Sequence, residues 1–357
     1  MDKMKVAHIV EPFSSGIITS IIHLSTGLTQ HEHIVIHGTR TSQDNIDSVK
    51  SRFPDRTIFY VWKSAVREIS PLKDLMAAIS LFNILLRIKP DVVHLHSSKA
   101  GAIGRPIARI LGIKKIIYSP QGAPFARKDV SKLTHWLYVK FEQILNAISG
   151  RIVCCCESET SLYQKSNMKA TYVNNGIEIT HRNRISSNHS IIRIGCAALA
   201  NTQKNPSWFN EIASNYINYK EIEFIWIGGG ELSNTLSAPN IKVTGWESKK
   251  ETSILLSSLD IYLSTSGWEG LPFSVLEAME KGVCLLLSDC VGNKDLVIDN
   301  KNGFLFTTTQ EAIEKLDDLV MNKSVIAQMG QKSRELCSKK FNATLMCEQF
   351  DKLYNEI

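Results

Sequence analysis

The chain has no apolar run near the roughly 18 to 20 residues that a bilayer-spanning helix needs, so no such helix is expected. Its eight cysteines include no C-x-x-C pair, which removes the commonest zinc and redox spacings. Cys154, Cys155 and Cys156 stand together in an apolar stretch, as buried thiols used like small hydrophobes do. That usage fits a reducing, cytoplasmic setting. There is no low-complexity tract, and no internal repeat beyond a similarity between two halves. The N-terminus runs from Lys3 and Lys5 through Val6–Val10 straight into polar Ser14-Ser15-Gly16, which reads as a first strand and loop rather than a signal peptide.

What is present describes an ordinary globular chain. Its 357 residues, 43% hydrophobic and 21% charged, suffice for two domains. The net charge of +6 is unevenly spread. Residues 1–178 carry 23 basic against 14 acidic side chains, and the remainder 18 against 21. A basic first half implies an anionic partner there.

Strand and helix signals alternate along both halves. In the first, strands are expected at Lys5–Val10, Ile34–His37, Thr57–Val61, Asp91–His96 and Ile116–Ser119, with helices at Ile17–Leu28, Leu72–Ile88 and Ile103–Leu111. In the second, strands are expected at Ile192–Ala197, Glu223–Ile227, Ile241–Thr244, Ile261–Leu263 and Val283–Ser288. The pattern predicts an α/β chain: a parallel-sheet domain over 1–178, a polar linker over 179–190, a second such domain over 191–342, and a terminal helix over 343–357. In doubly wound sheets of this kind ligands sit at the C-terminal ends of the strands.

The most informative stretch is Ser264–Gly282, S-T-S-G-W-E-G-L-P-F-S-V-L-E-A-M-E-K-G. A polar loop follows the strand ending at Leu263; Pro272 is expected in the first turn of a helix, and Gly282 at its end. The start of such a helix offers unpaired N–H groups and the positive end of its dipole, which suits a phosphate. Glu269 in the loop and Glu277 about a turn and a half into the helix lie eight residues apart, so they are placed to reach opposite ends of one elongated ligand. The alternative is a solvated loop carboxylate and a helix-surface one.

E-G-L-P-F-S-V-L-E-A-M-x-x-G resembles the E-x7-E signature of retaining glycosyltransferases of family 4, whose fold is GT-B: two Rossmann-like domains facing a cleft. Asp91–Gly104, Tyr172–Ile177, Gln203-Lys204-Asn205-Pro206, Phe224–Gly230, Gly292–Asp295 and Asn302-Gly303 also resemble segments of bacterial polysaccharide-assembly members. The resemblance implies that the second domain binds a nucleotide sugar, that the first binds the acceptor, and that the last helix crosses back onto the first domain. It implies that Glu277 contacts the ribose and Glu269 the transferred sugar. Lys204, the loop at Gly16 and the N–H groups around Leu271, Phe273 and Ser274 are the expected diphosphate contacts. Gly228, Gly270 and Pro272 are expected elsewhere in the nucleotide-sugar site, and Trp246 either lies beside the base or is an ordinary tryptophan. Gln121 stands where the family often has a histidine, and Ser98 and Lys99 are expected on the acceptor side. Glutamine hydrogen-bonds a hydroxyl but carries no proton at neutral pH. Leu199 replaces a common arginine, leaving Lys204, backbone and a further cation such as Lys294 to neutralise the diphosphate.

No Asp-x-Asp stands at a strand end, so neither a metal nor any other cofactor is expected. His94 and His96 share one strand face, but no third ligand is evident in sequence, so sheet-end histidines are favoured over a metal pair. Basic residues interleaved with aromatics, among them Arg105, Arg109, Lys114, Lys115, Phe125, Lys128, Lys132, Trp136, Tyr138, Lys140 and Phe141, suit an anionic membrane surface as well as a merely solvated face. No nucleic-acid motif accompanies them.

The expectation is a metal-independent retaining transferase. It would move a hexose or N-acetylhexosamine, from a UDP-linked donor, to a polyprenyl-diphosphate-linked glycan during O-antigen, capsule or exopolysaccharide assembly. It would work at the inner face of the cytoplasmic membrane. The alternatives are a nucleotide-sugar epimerase of the same fold, and a GT-B scaffold without turnover.

Overall fold

Short, almost continuously apolar runs such as Val92–His96 and Cys284–Ser288 are the signature of strands covered on both faces, and here they pair into two all-parallel sheets. The structure, a computed structural model, describes residues 3–40, 45–66, 68–180 and 191–356. Of the expected linker, residues 181–190 lie outside the described residues.

The first sheet is built from β1 (Lys5–Pro12), α1 (Ser15–Gly27), β2 (Glu32–Arg40), α2 (Ile46–Lys50), β3 (Ile58–Val61), α3 (Pro71–Ile88), β4 (Val92–His96), α4 (Ser98–Ile110), β5 (Lys115–Ser119), α5 (Lys132–Ile148), β6 (Arg151–Cys154), α6 (Glu157–Lys165) and β7 (Ala170–Tyr172). The second contains β8 (Ile192–Ala197), α7 (Pro206–Ser214), β9 (Ile222–Ile227), β10 (Ile241–Val243), α8 (Lys249–Ser258), β11 (Ile261–Ser264), α9 (Phe273–Glu280), β12 (Cys284–Ser288), α10 (Asn293–Leu296), β13 (Gly303–Phe306), α11 (Thr309–Met321) and α12 (Lys323–Lys340), before α13 (Ala343–Glu356) ends the chain.

The strand orders are β3-β2-β1-β4-β5-β6-β7 and β10-β9-β8-β11-β12-β13. Each order reverses once, between β1 and β4 and between β8 and β11, and a crevice opens at such reversals beyond the carboxyl ends of the strands. Two compact units result. The first comprises the chain up to Ala126, Val130–Gly176 and α13, and the second comprises Arg127–Asp129 and Ile177–Asn342. α13 is held in the first unit by Met346, Cys347, Phe350, Leu353 and Tyr354, which pack with Val6, Leu24, Leu28, Val92 and Ile117.

Several boundaries differ from the sequence reading. Gly16 lies in the first turn of α1, and Ser98 and Lys99 in the first turn of α4, where loops were expected. Pro272 is the residue before α9 rather than inside its first turn. Arg105 is not a surface cation: it is fully buried, its guanidinium 2.8 Å from Glu142 Oε2 and 4.1 Å from the Tyr118 ring centre. Phe125 is likewise core. Within the first unit the helices behind these residues, α4 and α5, hide a charge pair that composition alone reads as exposed.

Candidate active site

In the second unit the loops after β8 and β11 leave the sheet at its reversal point and are sewn together. The Gln203 carbonyl accepts the Gly267 N–H at 2.8 Å, and the Gln203 side-chain amide donates to the Trp268 carbonyl at 2.9 Å and to Glu269 Oε2 at 3.3 Å. Thr265 Oγ1 donates toward the carbonyls of Lys204 and Asn205 at 2.9 and 3.0 Å. This stitching brings Lys204 Nζ to 2.5 Å from Glu269 Oε1 across 65 residues of sequence. Glu269 is only 5% exposed, so its charge is held by Lys204 and Gln203 rather than by solvent.

Below them Pro272 leads into α9, whose first turn has no side-chain cap. The amides that start α9 thus keep the anion-attracting character of an open helix start. Tyr262 fixes the helix entry: its hydroxyl lies 2.9 Å from Ser274 Oγ and 3.3 Å from both the Ala197 N–H and carbonyl. Burial pushes the Tyr262 phenol far up, so it stays a neutral hydroxyl. Lys204, Glu269, Pro272, Ser274, Cys196, Ala198 and Trp226 are among the residues around a small open hollow.

Along α9 only Ser274 and Glu277 are half-open, and they are three residues apart on one face. Glu277 therefore flanks the helix start without lining the hollow. Leu271, Pro272 and Phe273 are buried and contribute backbone. Gly228 ends β9 with φ 130°, and a Cβ there would sit 2.3 Å from the Ala198 carbonyl oxygen. It bridges to Gly245, which sets half-exposed Trp246 beside the end of β9. Behind the Glu269-Gly270 turn, Gly292 approaches so closely that a Cβ would meet the Gly270 carbonyl at 1.9 Å. Lys294 pairs with Asp289 at 3.3 Å, and Leu199 is half-exposed.

The geometry thus gathers Lys204, Glu269, Gly270 to Ser274 and Glu277 in one place, with Gly228 and Trp246 on the neighbouring strand end. Gly16, Ser98, Lys99 and Gln121 belong to the first unit. Lys99 is tied to Asp74 at 2.6 Å and to the Glu68 carbonyl at 2.8 Å. Gln121 is half-buried, with φ 56°, and exchanges amide hydrogen bonds with Asn175 at 3.1 and 3.4 Å. Gln203, Tyr262 and Thr265 carry much of the site and were not singled out in sequence. Only the position of Gln203 beside Lys204 gave a signal.

His94 and His96 do have a third histidine beside them, His8 on β1, one strand away. The three are fully buried and burial lowers the basicity of each, His96 to about 3. One ring nitrogen of each lies within 4.8 Å of the others, and the His94 and His96 rings stack at 3.9 Å. Hydrogen bonds hold every ring nitrogen of the cluster but His96 Nδ1, which is buried without a partner among the described residues. His33 Nε2 must donate to the Leu28 carbonyl at 2.9 Å, so His33 Nδ1 accepts from His8 Nε2 at 3.0 Å, and His8 Nδ1 accepts from His96 Nε2 at 3.1 Å.

Two Rossmann-like parallel sheets, each with a single reversal of strand order, are the architecture of GT-B transferases. A family model described as Glycosyltransferase Family 4 matches residues 14–181, and one described as Glycosyl transferases group 1 matches residues 204–336. The chain belongs to this family of glycosyltransferases. An Escherichia coli enzyme named UDP-Gal:alpha-D-GlcNAc-diphosphoundecaprenol alpha-1,3-galactosyltransferase is 28% identical over 324 residues, 81% of each chain. A 41.2 kDa protein in the cps region of Klebsiella pneumoniae is 23% identical over 98% of this chain and 99% of its own. Among solved structures, Anabaena HepE in complex with UDP and glucose superposes with a TM-score of 0.79 at 14% identity, covering 99% of this chain and 100% of that one. Sucrose-phosphate synthase from Thermosynechococcus elongatus gives 0.81 at 10% identity, covering 99% and 98%.

Proposed function

We propose that this glycosyltransferase moves a hexose or N-acetylhexosamine from a UDP-linked donor onto a polyprenyl-diphosphate-linked glycan, with retention and without a metal, in the assembly of a bacterial surface polysaccharide. The observation that carries the reading is Lys204 held 2.5 Å from Glu269 above the uncapped start of α9. A diphosphate leaving group builds up negative charge as the glycosidic bond breaks, and the Lys204 ammonium with the α9 amides meets that charge without a cation. Glu269, released from Lys204 by the incoming diphosphate, accepts hydrogen bonds from hydroxyls of the transferred sugar, and Glu277 accepts from the ribose. The acceptor hydroxyl attacks the anomeric carbon on the face the diphosphate leaves. Its proton passes to a diphosphate oxygen, so no protein base is required. The UDP donor and the lipid diphosphate acceptor in the name of the Escherichia coli relative support the choice of substrates.

The acceptor reading also calls for peripheral docking on anionic lipid. On α5 the exposed positions include Leu133, Trp136, Leu137, Phe141 and Ile144, with exposed Lys132 and Lys140 beside them. An apolar and aromatic stripe with flanking lysines is what an interfacial helix presents. Among the described residues no helix is long and apolar enough to cross a membrane. Flotation with anionic vesicles that Trp136→Ser/Phe141→Ser abolishes supports docking, and equal flotation with neutral vesicles contradicts it. The transfer reading is tested with labelled UDP-hexoses and a short-chain lipid diphosphate sugar in excess chelator. An α-linked product, by its anomeric proton coupling, is expected. Strict dependence on added metal, or a β-linked product, overturns the reading.

A further inference from the structure

Gln121 and Gly122, just past β5, both have positive φ, 56° and 114°. Beyond this turn the Gly122 and Ala123 amides converge on one internal carboxyl group. Glu159 on α6 is completely buried, and its Oε1 accepts the Gly122 N–H at 2.8 Å while Oε2 accepts the Cys155 N–H at 2.9 Å and the Cys155 thiol at 3.2 Å. The Ala123 N–H donates to the same carboxylate. One carboxylate thereby ties the turn after β5 to the turn after β6. The chain after β7 joins them, because the Asn175 N–H donates to the Cys155 carbonyl at 3.3 Å and the Asn175 side chain pairs with the Gln121 amide.

We infer that Glu159 is a positioning residue: it helps hold Gln121 in its left-handed conformation, and so sets the Gln121 amide in the first unit, where it would hydrogen-bond a hydroxyl of the acceptor, an assignment that rests on the transfer reaction proposed above. A non-glycine residue in this region of φ is held against a steric cost; here the Glu159 carboxyl fixes the two amides that follow Gln121, and Asn175 holds its side chain. A glutamine at 159 has one oxygen instead of two. Its NH2 then faces an N–H that needs an acceptor, and the turn has to move.

The test compares Glu159→Gln, Glu159→Asp, Gln121→Ala and the double Glu159→Gln/Gln121→Ala. Hydrogen exchange gives a readout independent of turnover. In Glu159→Gln the peptide covering 120–126 should exchange at least about tenfold faster, with the strands of the first sheet unchanged. Unchanged exchange there, or a uniform rise across the first unit, overturns the inference. In transfer assays Glu159→Gln should raise the acceptor KM about tenfold with UDP affinity unaltered, and add nothing to Gln121→Ala. Full additivity overturns it as well. Should Glu159→Gln not fold, Glu159→Asp, one methylene shorter, carries the same comparisons, and a wild type that transfers nothing while the exchange result holds faults the transfer reading alone.

Discussion

Lowering the pH from 7.5 to 5.5 should cost the first unit a large part of its stability. His8, His33, His94 and His96 are buried on one face of the first sheet, and burial is the largest cause of the lowered pKa of each, to about 4 in His33 and about 3 in His96. Above the unfolded value near 6.5 these rings are neutral folded or unfolded, and pH has no leverage through them. Below 6.5 the unfolded chain takes up protons that the folded chain refuses, so stability falls as pH falls, until the folded values near 3 to 4 are reached. One unit below 6.5, each ring costs about 1.4 kcal/mol, and four rings together roughly 5 to 6 kcal/mol. A domain has about 5 to 15 kcal/mol in total. Glu142 and Glu159 are shifted upward by burial and act in the opposite sense, but they are two groups against four. The assay is hydrogen exchange of β1 and β4 at both pH values, corrected for the intrinsic rate. An opening free energy that changes by less than about 1.4 kcal/mol, the share of a single ring, refutes the reasoning.

Three substitutions extend the account. Arg105→Ala removes the partner of fully enclosed Glu142 and should lower stability by about 3 to 5 kcal/mol in denaturant titration, whereas Arg109→Ala, at an exposed position, should be nearly neutral. Gly228→Ala forces a Cβ against the Ala198 carbonyl at φ 130° and should cost about 1 to 3 kcal/mol while shifting the β9 end beside the proposed donor site, read as a lower melting temperature and weaker UDP binding together. Gln203→Leu removes the donor shared by Trp268 and Glu269, and should reduce turnover more than UDP affinity; an equal loss in both would mean that Gln203 serves only the loop.

Much of the second unit was legible in sequence because its signals are local. β8 was bounded correctly from its apolar run, and the Pro-Phe-Ser-Val start and Gly282 stop bracketed α9 within a residue. Lys204 and Glu269 were singled out separately, but their contact spans 65 residues and depends on Gln203 and Thr265, which no periodicity marks. The histidine cluster was missed for the same reason. β1 and β4 pair in register, so His8 lies opposite His94, a placement that only the crossover topology decides. Arg105 misled because a cation reads as solvated until its partner Glu142, on a different helix, is known.

The central claim is that Lys204 and the start of α9, without a cation, hold the donor diphosphate. Calorimetric titration of UDP into the purified protein in excess chelator addresses it most directly. The account predicts saturable binding that Lys204→Ala weakens by at least about tenfold and Glu277→Ala weakens through the ribose. Binding that appears only when a divalent metal is restored, or that Lys204→Ala leaves intact, would contradict it.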